Sequence, residues 1–280
     1  MEWLTDNAIP VGRWAKRFVD WLTDNFAWVF DGIAAFISAM IEALLWALQT
    51  QHPFIVVAVF CALSWYFRRS ALAVVLTGLG LLFIINQDYW EETTQTLALV
   101  IAATAVCMAI GVPLGILAAR RKWLYAILRP ILDLMQTLPT FVYLIPALIL
   151  FGLGMVPGLI ATVIFAIPAP IRLTRLGIIS TPGTLVEAAQ AFGANKQQVL
   201  TKVELPYAMP QIMAGLTQTI MLSLSMVVIA ALVGAPGLGV PVLRALNTVN
   251  IAKGFEAGAS IVVLAIILDR MFRTGGEDDT

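Results

Sequence analysis

Five stretches of this chain, at 93 to 118, 130 to 151, 157 to 176, 208 to 233 and 255 to 272, stay apolar over nearly their whole length. Each matches the roughly 20 residues a helix needs to cross a hydrocarbon layer about 30 Å thick. In lipid the backbone has no water to bond, so such a stretch closes its own hydrogen bonds as a helix. Two shorter runs, FIVVAVFCALSWYF at 54 to 67 and SALAVVLTGLGLLFII at 70 to 85, read as further spans that lean on flanking residues or on local thinning of the bilayer. The fold class is therefore an all-α polytopic membrane protein with about seven transmembrane helices. Composition agrees: 60% of residues are hydrophobic, 12% are charged, and mean hydropathy is +0.89. Prolines at 113, 130, 139, 146, 168 and 170 predict kinked helices whose freed backbone groups are satisfied by neighbours.

Residues 1 to 50 follow a different pattern. From 26 to 48, Phe26, Val29, Phe30, Ile33, Ile37, Met40, Ile41, Leu44, Leu45 and Leu48 recur at helical spacing, with Asp31, Ser38 and Glu42 opposite them. Burying Asp31 and Glu42 at mid-bilayer would cost about 2.5 to 3.5 kcal/mol each, nearly cancelling the return of about 0.3 to 0.6 from each large apolar residue. Residues 10 to 24 repeat the theme, with Trp14, Phe18, Trp21 and Leu22 against Arg13, Lys16, Arg17, Asp20 and Asp24. The expectation is an amphipathic scaffold lying in the interface, with a first transmembrane span as the alternative. Residues 51 to 273 form the transmembrane domain, and the acidic tail 274 to 280 is expected to be disordered.

The cations orient the chain. Arg68, Arg69, Arg120, Arg121, Lys122, Arg172, Arg175, Arg270 and Arg273 follow alternate spans and so share one side, expected to be cytoplasmic. The loop at 234 to 254 then faces out, despite Arg244 and Lys253. With 17 basic and 17 acidic residues, net charge predicts no nucleic-acid partner. Cys61 and Cys107 lie in apolar runs and read as small core residues. His52 stands alone beside Pro53, with no triad or metal companions. The opening MEWLTDNAIPVGRWAK lacks the order of a cleavable signal, so all 280 residues are expected in the mature protein.

One stretch breaks the apolar rhythm on the cationic side: TLVEAAQAFGANKQQVLTKVELPYAMP, within the loop 177 to 206 and the start of the next span. A Thr-Pro-Gly turn precedes Thr184-Leu185-Val186-Glu187, a capping-box spacing that predicts a helix starting at Thr184. Gly193 ends that helix in the left-handed conformation or admits another backbone closely. A second helical piece runs from Lys196 to Val203, and Leu205-Pro206 returns the chain to the bilayer. The stretch resembles the signature loop of ATP-binding-cassette importer permeases, with Glu187, Ala188, Ala189, Gly193, Val203, Leu205 and Pro206 in register. Val203 stands where isoleucine is more usual. Segments 90 to 100, 133 to 154, 161 to 178 and 218 to 239 look like the glycine betaine, choline and proline betaine class of these permeases.

That resemblance implies a homodimer of this subunit, two copies of a separate ATPase and an extracytoplasmic substrate-binding protein, in a bacterial cytoplasmic (inner) membrane. The helix around Glu187 to Gly193 would couple ATPase closure to the spans. ATP and its Mg belong to the partner; this sequence has no G-x-x-x-x-G-K-[ST] phosphate loop, and no cofactor is expected on it. Candidate pathway groups are Gln136, Thr137, Phe141, Tyr143, Thr217, Gln218, Thr219, Ser223 and Ser225. Helix-to-helix hydrogen bonding, worth about 0.6 to 2 kcal/mol each, is the other reading of the polar ones. Asp133 is expected to pair with Arg129 one turn away. Rival functions are a permease of the same architecture for another small solute such as an amino acid, or an ion-gradient-driven secondary transporter. The latter needs buried ionisable residues in mid-span, and the central parts of these spans carry almost none.

Overall fold

The structure, a computed structural model, describes residues 10–272; the first nine residues and the tail predicted at 274 to 280 lie outside the described residues. Helix α1 (Val11–Gln49) is a single 39-residue helix bent at Phe26, where φ is −126° and ψ 18°. The two stretches read separately at 10 to 24 and 26 to 48 are thus its arms. Just before the bend, the Thr23 hydroxyl donates to the Val19 carbonyl and the Asn25 amide to that of Trp21. Such back-bonding competes with the helix ladder and favours bending. Part of the expected apolar face packs: Ile37 and Ile41 are buried against Ala102, Ala103 and Leu159, with Met40, Leu44 and Leu45 half-buried beside them, while Phe26 and Ile33 of that face are exposed, as are Asp31 and Glu42.

Helices α2 (Pro53–Arg68) and α3 (Ala71–Asn86) form a hairpin closed by Arg69 in the left-handed region. At 16 residues each, they reach only about 24 Å. A buried Thr77 to Ser64 hydroxyl bond ties the pair, and Cys61 and Cys107 are both free thiols. Helix α4 (Trp90–Arg120) is the longest of the central helices. Helices α5 (Lys122–Thr137) and α6 (Thr140–Phe151) meet at 97°. The stretch read as one span at 130 to 151 is therefore broken. Leu138, forced out of the helical region by Pro139, has ψ 134°, and α5 turns aside there while burying Leu132 against Cys107, Ile167 and Ile171.

Helices α7 (Met155–Ala166) and α8 (Pro168–Ile179) follow as one 25-residue apolar segment. Then come α9 (Gly183–Ala191), α10 (Lys196–Val199), a π turn at Leu200–Glu204, and α11 (Leu205–Ala231). Helices α12 (Gly239–Asn247) and α13 (Ile251–Phe272) are the last two among the described residues. Among the described residues, five helical segments are long and apolar enough to cross a membrane, six if the bent α5–α6 pair is one. One of the five is Gly12–Gln49; the other four with the bent pair stand where five of the seven spans are predicted, and the shorter α2 and α3 stand at the remaining two.

Small residues set the core. Helices α4, α8 and α11 approach so closely that a Cβ on Gly115 would stand 2.8 Å from the Ile171 carbonyl oxygen, and one on Gly111 2.7 Å from Pro170. Gly215 of α11 meets Pro170 from the other side, and Gly177 meets Ala208. The helices alternate between two edges. At one lie the ends of α4 and α8 and the start of α11, with Arg120, Arg172 and Arg175; the ring of Phe67 also meets that of Phe272 at the end of α13. At the other lie the starts of α4 and α7 and the end of α11, where the Gly154 amide donates to the Val233 carbonyl. The second arm of α1 crosses this latter half: Gln49 donates to Thr94, and Phe30 stacks edge-on against Phe151 at 5.6 Å.

Candidate functional site

The loop at the basic edge begins earlier than its sequence suggests. Pro182 occupies the cap position and α9 starts at Gly183, with no side-chain cap. Thr184 is already inside the helix and Glu187 lies beyond its first turn, so the capping box predicted for that pair does not form. Proline explains the shift, because its fixed φ lets the Leu185 amide bond the Pro182 carbonyl at once. The capping box forms instead one helix later. The Gln197 and Gln198 amides donate to Asn195 Oδ1 at 3.1 and 2.9 Å, and the Asn195 amide donates to Gln198 Oε1 at 2.8 Å.

Between the two helices, Gly193 adopts φ +82°, the left-handed turn expected of it, and a Cβ there would meet nothing within 4 Å. The elbow is rooted by Val199, which is buried, and by Leu205, which packs on the cluster of Ile178, Ala208 and Ile212. Arg120 at the end of α4 latches it: its guanidinium donates to the Lys196 carbonyl at 3.2 Å and pairs with Glu204 at 3.0 Å. By contrast, α9 buries none of its residues. Glu187, Ala188 and Pro206 are exposed, and Ala189 and Val203 are half-buried. Phe192 is 94% exposed and Leu185 47%. Among the described residues nothing covers this short, largely apolar helix, which stands out from a packed root as a surface open to another protein. Two participants were missed in the sequence. Phe192 could have been found as the one aromatic in a polar loop; the Arg120–Glu204 latch, 84 residues apart, had no local signal.

A second cluster braces α5 against α8. Arg172 pairs with Asp133 at 2.6 Å and donates to Gln136 Oε1 at 3.0 Å, whereas Arg129 reaches Asp133 only at 4.0 Å. The partner expected for Asp133 is thus secondary to one from another helix. Arg175 lies over the Tyr125 ring at 3.6 Å, a cation–π contact between the same two helices. Gln136 is tied into this brace. Thr137 and Phe141 flank the α5–α6 bend and are exposed, and the Tyr143 hydroxyl is buried without a hydrogen-bond partner among the described residues. On α11 the candidates divide. Thr219 and Ser223 are fully buried between helices and Thr217 donates to the Met213 carbonyl, whereas Gln218 and Ser225 are exposed. With Ala214 and Met221 they form one open stripe at helical spacing. A mid-helix glutamine amide without a partner is costly in lipid, so this stripe is suited to water or to another polar surface.

Comparison with known proteins places this geometry. Residues 111–274 match the family model for the binding-protein-dependent transport system inner membrane component. The glycine betaine transport system permease protein OpuAB of Bacillus subtilis is 46% identical over 263 residues, covering 94% of this chain and 93% of that one. The glycine betaine/carnitine transport permease protein GbuB of Listeria monocytogenes is 45% identical, with 94% of each chain covered. The glycine betaine/proline betaine permease protein ProW of Escherichia coli is 43% identical, covering 96% of this chain and 76% of that one. Among solved structures, an inward-facing form of the MetNI methionine ABC transporter matches in fold, with a TM-score of 0.57, 24% identity, and coverage of 64% of this chain and 92% of that one. An all-helical bundle with that likeness, a transport signature in its loop and relatives aligned along nearly its whole length leaves one assignment: the chain belongs to the family of binding-protein-dependent transport system inner membrane components.

Proposed function

We propose that this chain is the membrane permease subunit of an ATP-driven importer for a quaternary ammonium solute, glycine betaine or choline. The observation that carries the reading is α9, a short exposed helix on a rigid root at the basic edge, aligned within a chain whose relatives transport glycine betaine along nearly all of its length. The basic edge faces the cytoplasm of a bacterium, across its inner membrane. There, Glu187 to Gly193 seat in a groove of a separate ATPase, with Phe192 as the apolar anchor. Val203, Leu205 and Pro206 carry the ATPase's movement into α11. ATP and Mg are bound by the partner, and this chain binds no cofactor. Closure of two ATPase subunits then biases two arrangements of the spans, so the ligand-free and nucleotide-closed states differ in which edge is open.

The subunit works as a homodimer. The open stripe of Gln218 and Ser225 on α11 supports a pathway between the two copies, with Thr137 and Phe141 at the bend contributing to its mouth. The second arm of α1, whose partners all lie in the outer half, serves as a scaffold at that surface. An extracytoplasmic binding protein delivers the solute. The test is uptake of labelled betaine and choline into vesicles rebuilt with this chain, its ATPase and its binding protein. Uptake dependent on ATP is expected; uptake that persists without ATP, driven by an ion gradient, would overturn the reading.

A further inference from the structure

At the edge opposite the basic one, the start of α4 and the loop carrying α12 enclose a cavity of about 500 Å³. That is within the range of small-molecule sites, about 300 to 1,000 Å³. Its walls include Tyr89, Glu92, Gln95, Arg244, Thr248 and Lys253. The far wall is held firmly. The buried Leu238 amide donates to the Thr96 hydroxyl at 2.9 Å, and Gly237, at φ +130°, lies so close that a Cβ would stand 2.7 Å from the same oxygen. Gly239 seats against the Val227 carbonyl, where no larger residue fits. Tyr89 is 8% exposed and fixed beneath.

The charges in this cavity are unequally employed. Lys253 pairs with Glu256 at 2.9 Å, and Glu91 accepts from Gln95 at 3.3 Å. Glu92 on the α4 wall and Arg244 on the α12 wall have neither an ion pair nor a side-chain hydrogen bond among the described residues, and do not pair with each other. An acid alone would draw any cation and a base any anion. One of each, unspent on facing walls of a small cavity, suits a molecule that carries both charges. A guanidinium fork matches a carboxylate. A trimethylammonium group has no donor, so it is met by a carboxylate's field and an aromatic ring rather than by a hydrogen bond.

We propose that this cavity is an entry site for a small zwitterion of the betaine type, with its carboxylate on Arg244 and its onium group toward Glu92 and Tyr89. The proposal rests on the quaternary ammonium reading above and adds the site and the charge pattern. Because the cavity is open to the outer surface, it binds weakly and releases quickly, as a relay between a delivering protein and the pathway requires.

The experiment uses the permease–ATPase complex in lipid nanodiscs, without binding protein or nucleotide. Equilibrium dialysis compares glycine betaine, choline, which lacks the carboxylate, and 3,3-dimethylbutyrate, which lacks the onium charge. Saturable betaine binding is expected. Arg244→Gln should weaken it about tenfold while changing choline less than about twofold, and Glu92→Gln should weaken both betaine and choline. Thermal unfolding of each variant within a few degrees of the parent keeps misfolding apart from lost binding. No saturable binding by the parent complex, equal binding of betaine and dimethylbutyrate, or indifference to both substitutions would overturn the proposal. So would a loss of binding-protein docking in the variants with betaine binding intact, since the cavity would then belong to that protein's footprint. ATP-driven betaine uptake that continues without any cavity binding sinks this inference alone; absence of that uptake in the parent removes the transport reading beneath it as well.

Discussion

Gly193 separates two ways in which a coupling loop can fail. Its φ of +82° costs a residue with a Cβ about 1 to 2 kcal/mol, and less for asparagine or aspartate, which tolerate the left-handed region. Nothing in this chain lies within 4 Å of the missing Cβ, so no steric cost adds to that figure inside the permease itself. Gly193→Ala should therefore lower the thermal midpoint of the isolated subunit by only a few degrees, taking about 2 to 4 °C per kcal/mol for a chain of this size, and Gly193→Asn or Gly193→Asp by less. Transport should respond in the opposite order. If the open space at Gly193 is where the ATPase backbone approaches, larger side chains obstruct it more, so Asn and Asp should abolish uptake and uncouple ATP hydrolysis while Ala is impaired. The assay pairs unfolding of each variant in nanodiscs with uptake and ATPase rates in rebuilt vesicles. Full uptake by Gly193→Asn where Ala fails would refute close approach and leave only backbone strain. Normal uptake by Gly193→Asp would refute the coupling role itself.

Because Glu187 caps nothing, Glu187→Ala should change stability by less than about 0.5 kcal/mol, so any lost transport reports a partner contact; unfolding and uptake together check this. Asn195→Ala removes a formed cap and should cost about 0.5 to 2 kcal/mol, seen as earlier proteolysis of the loop. Gly115→Val places carbons against the Ile171 carbonyl and Thr174, and should cost about 1 to 3 kcal/mol in thermal unfolding. Gln218 is exposed on α11; if its amide lines the proposed pathway, Gln218→Leu should cut uptake several-fold while the purified complex keeps its mass, whereas a loss of mass would make Gln218 an interface residue.

What the sequence made legible depended on range. Helix faces are local, so the inward set of α1, with Ile37 and Ile41 in and Asp31 and Glu42 out, follows from spacing alone. The turn at Gly193 is equally local. The errors arose where a proline or a distant charge competed with a local rule. Pro139 broke a span that hydropathy joined, since hydropathy averages over side chains and does not register a missing amide. Pro182 started α9 before the Thr184 cap could form, and the empty role passed to Asn195, where no proline intervenes. Asp133 took Arg172 over Arg129 because the bend at Pro139 lays α5 across α8, a juxtaposition no window along α5 contains. The same logic divides the candidate pathway residues. Gln136 is engaged by that brace, Thr219 and Ser223 face inward, and only Gln218 and Ser225 on α11 stay open. Residue type nominated all of them; the rotation of α11, fixed by glycine contacts with α8, decides which of them are buried and leaves this pair exposed for the proposed pathway.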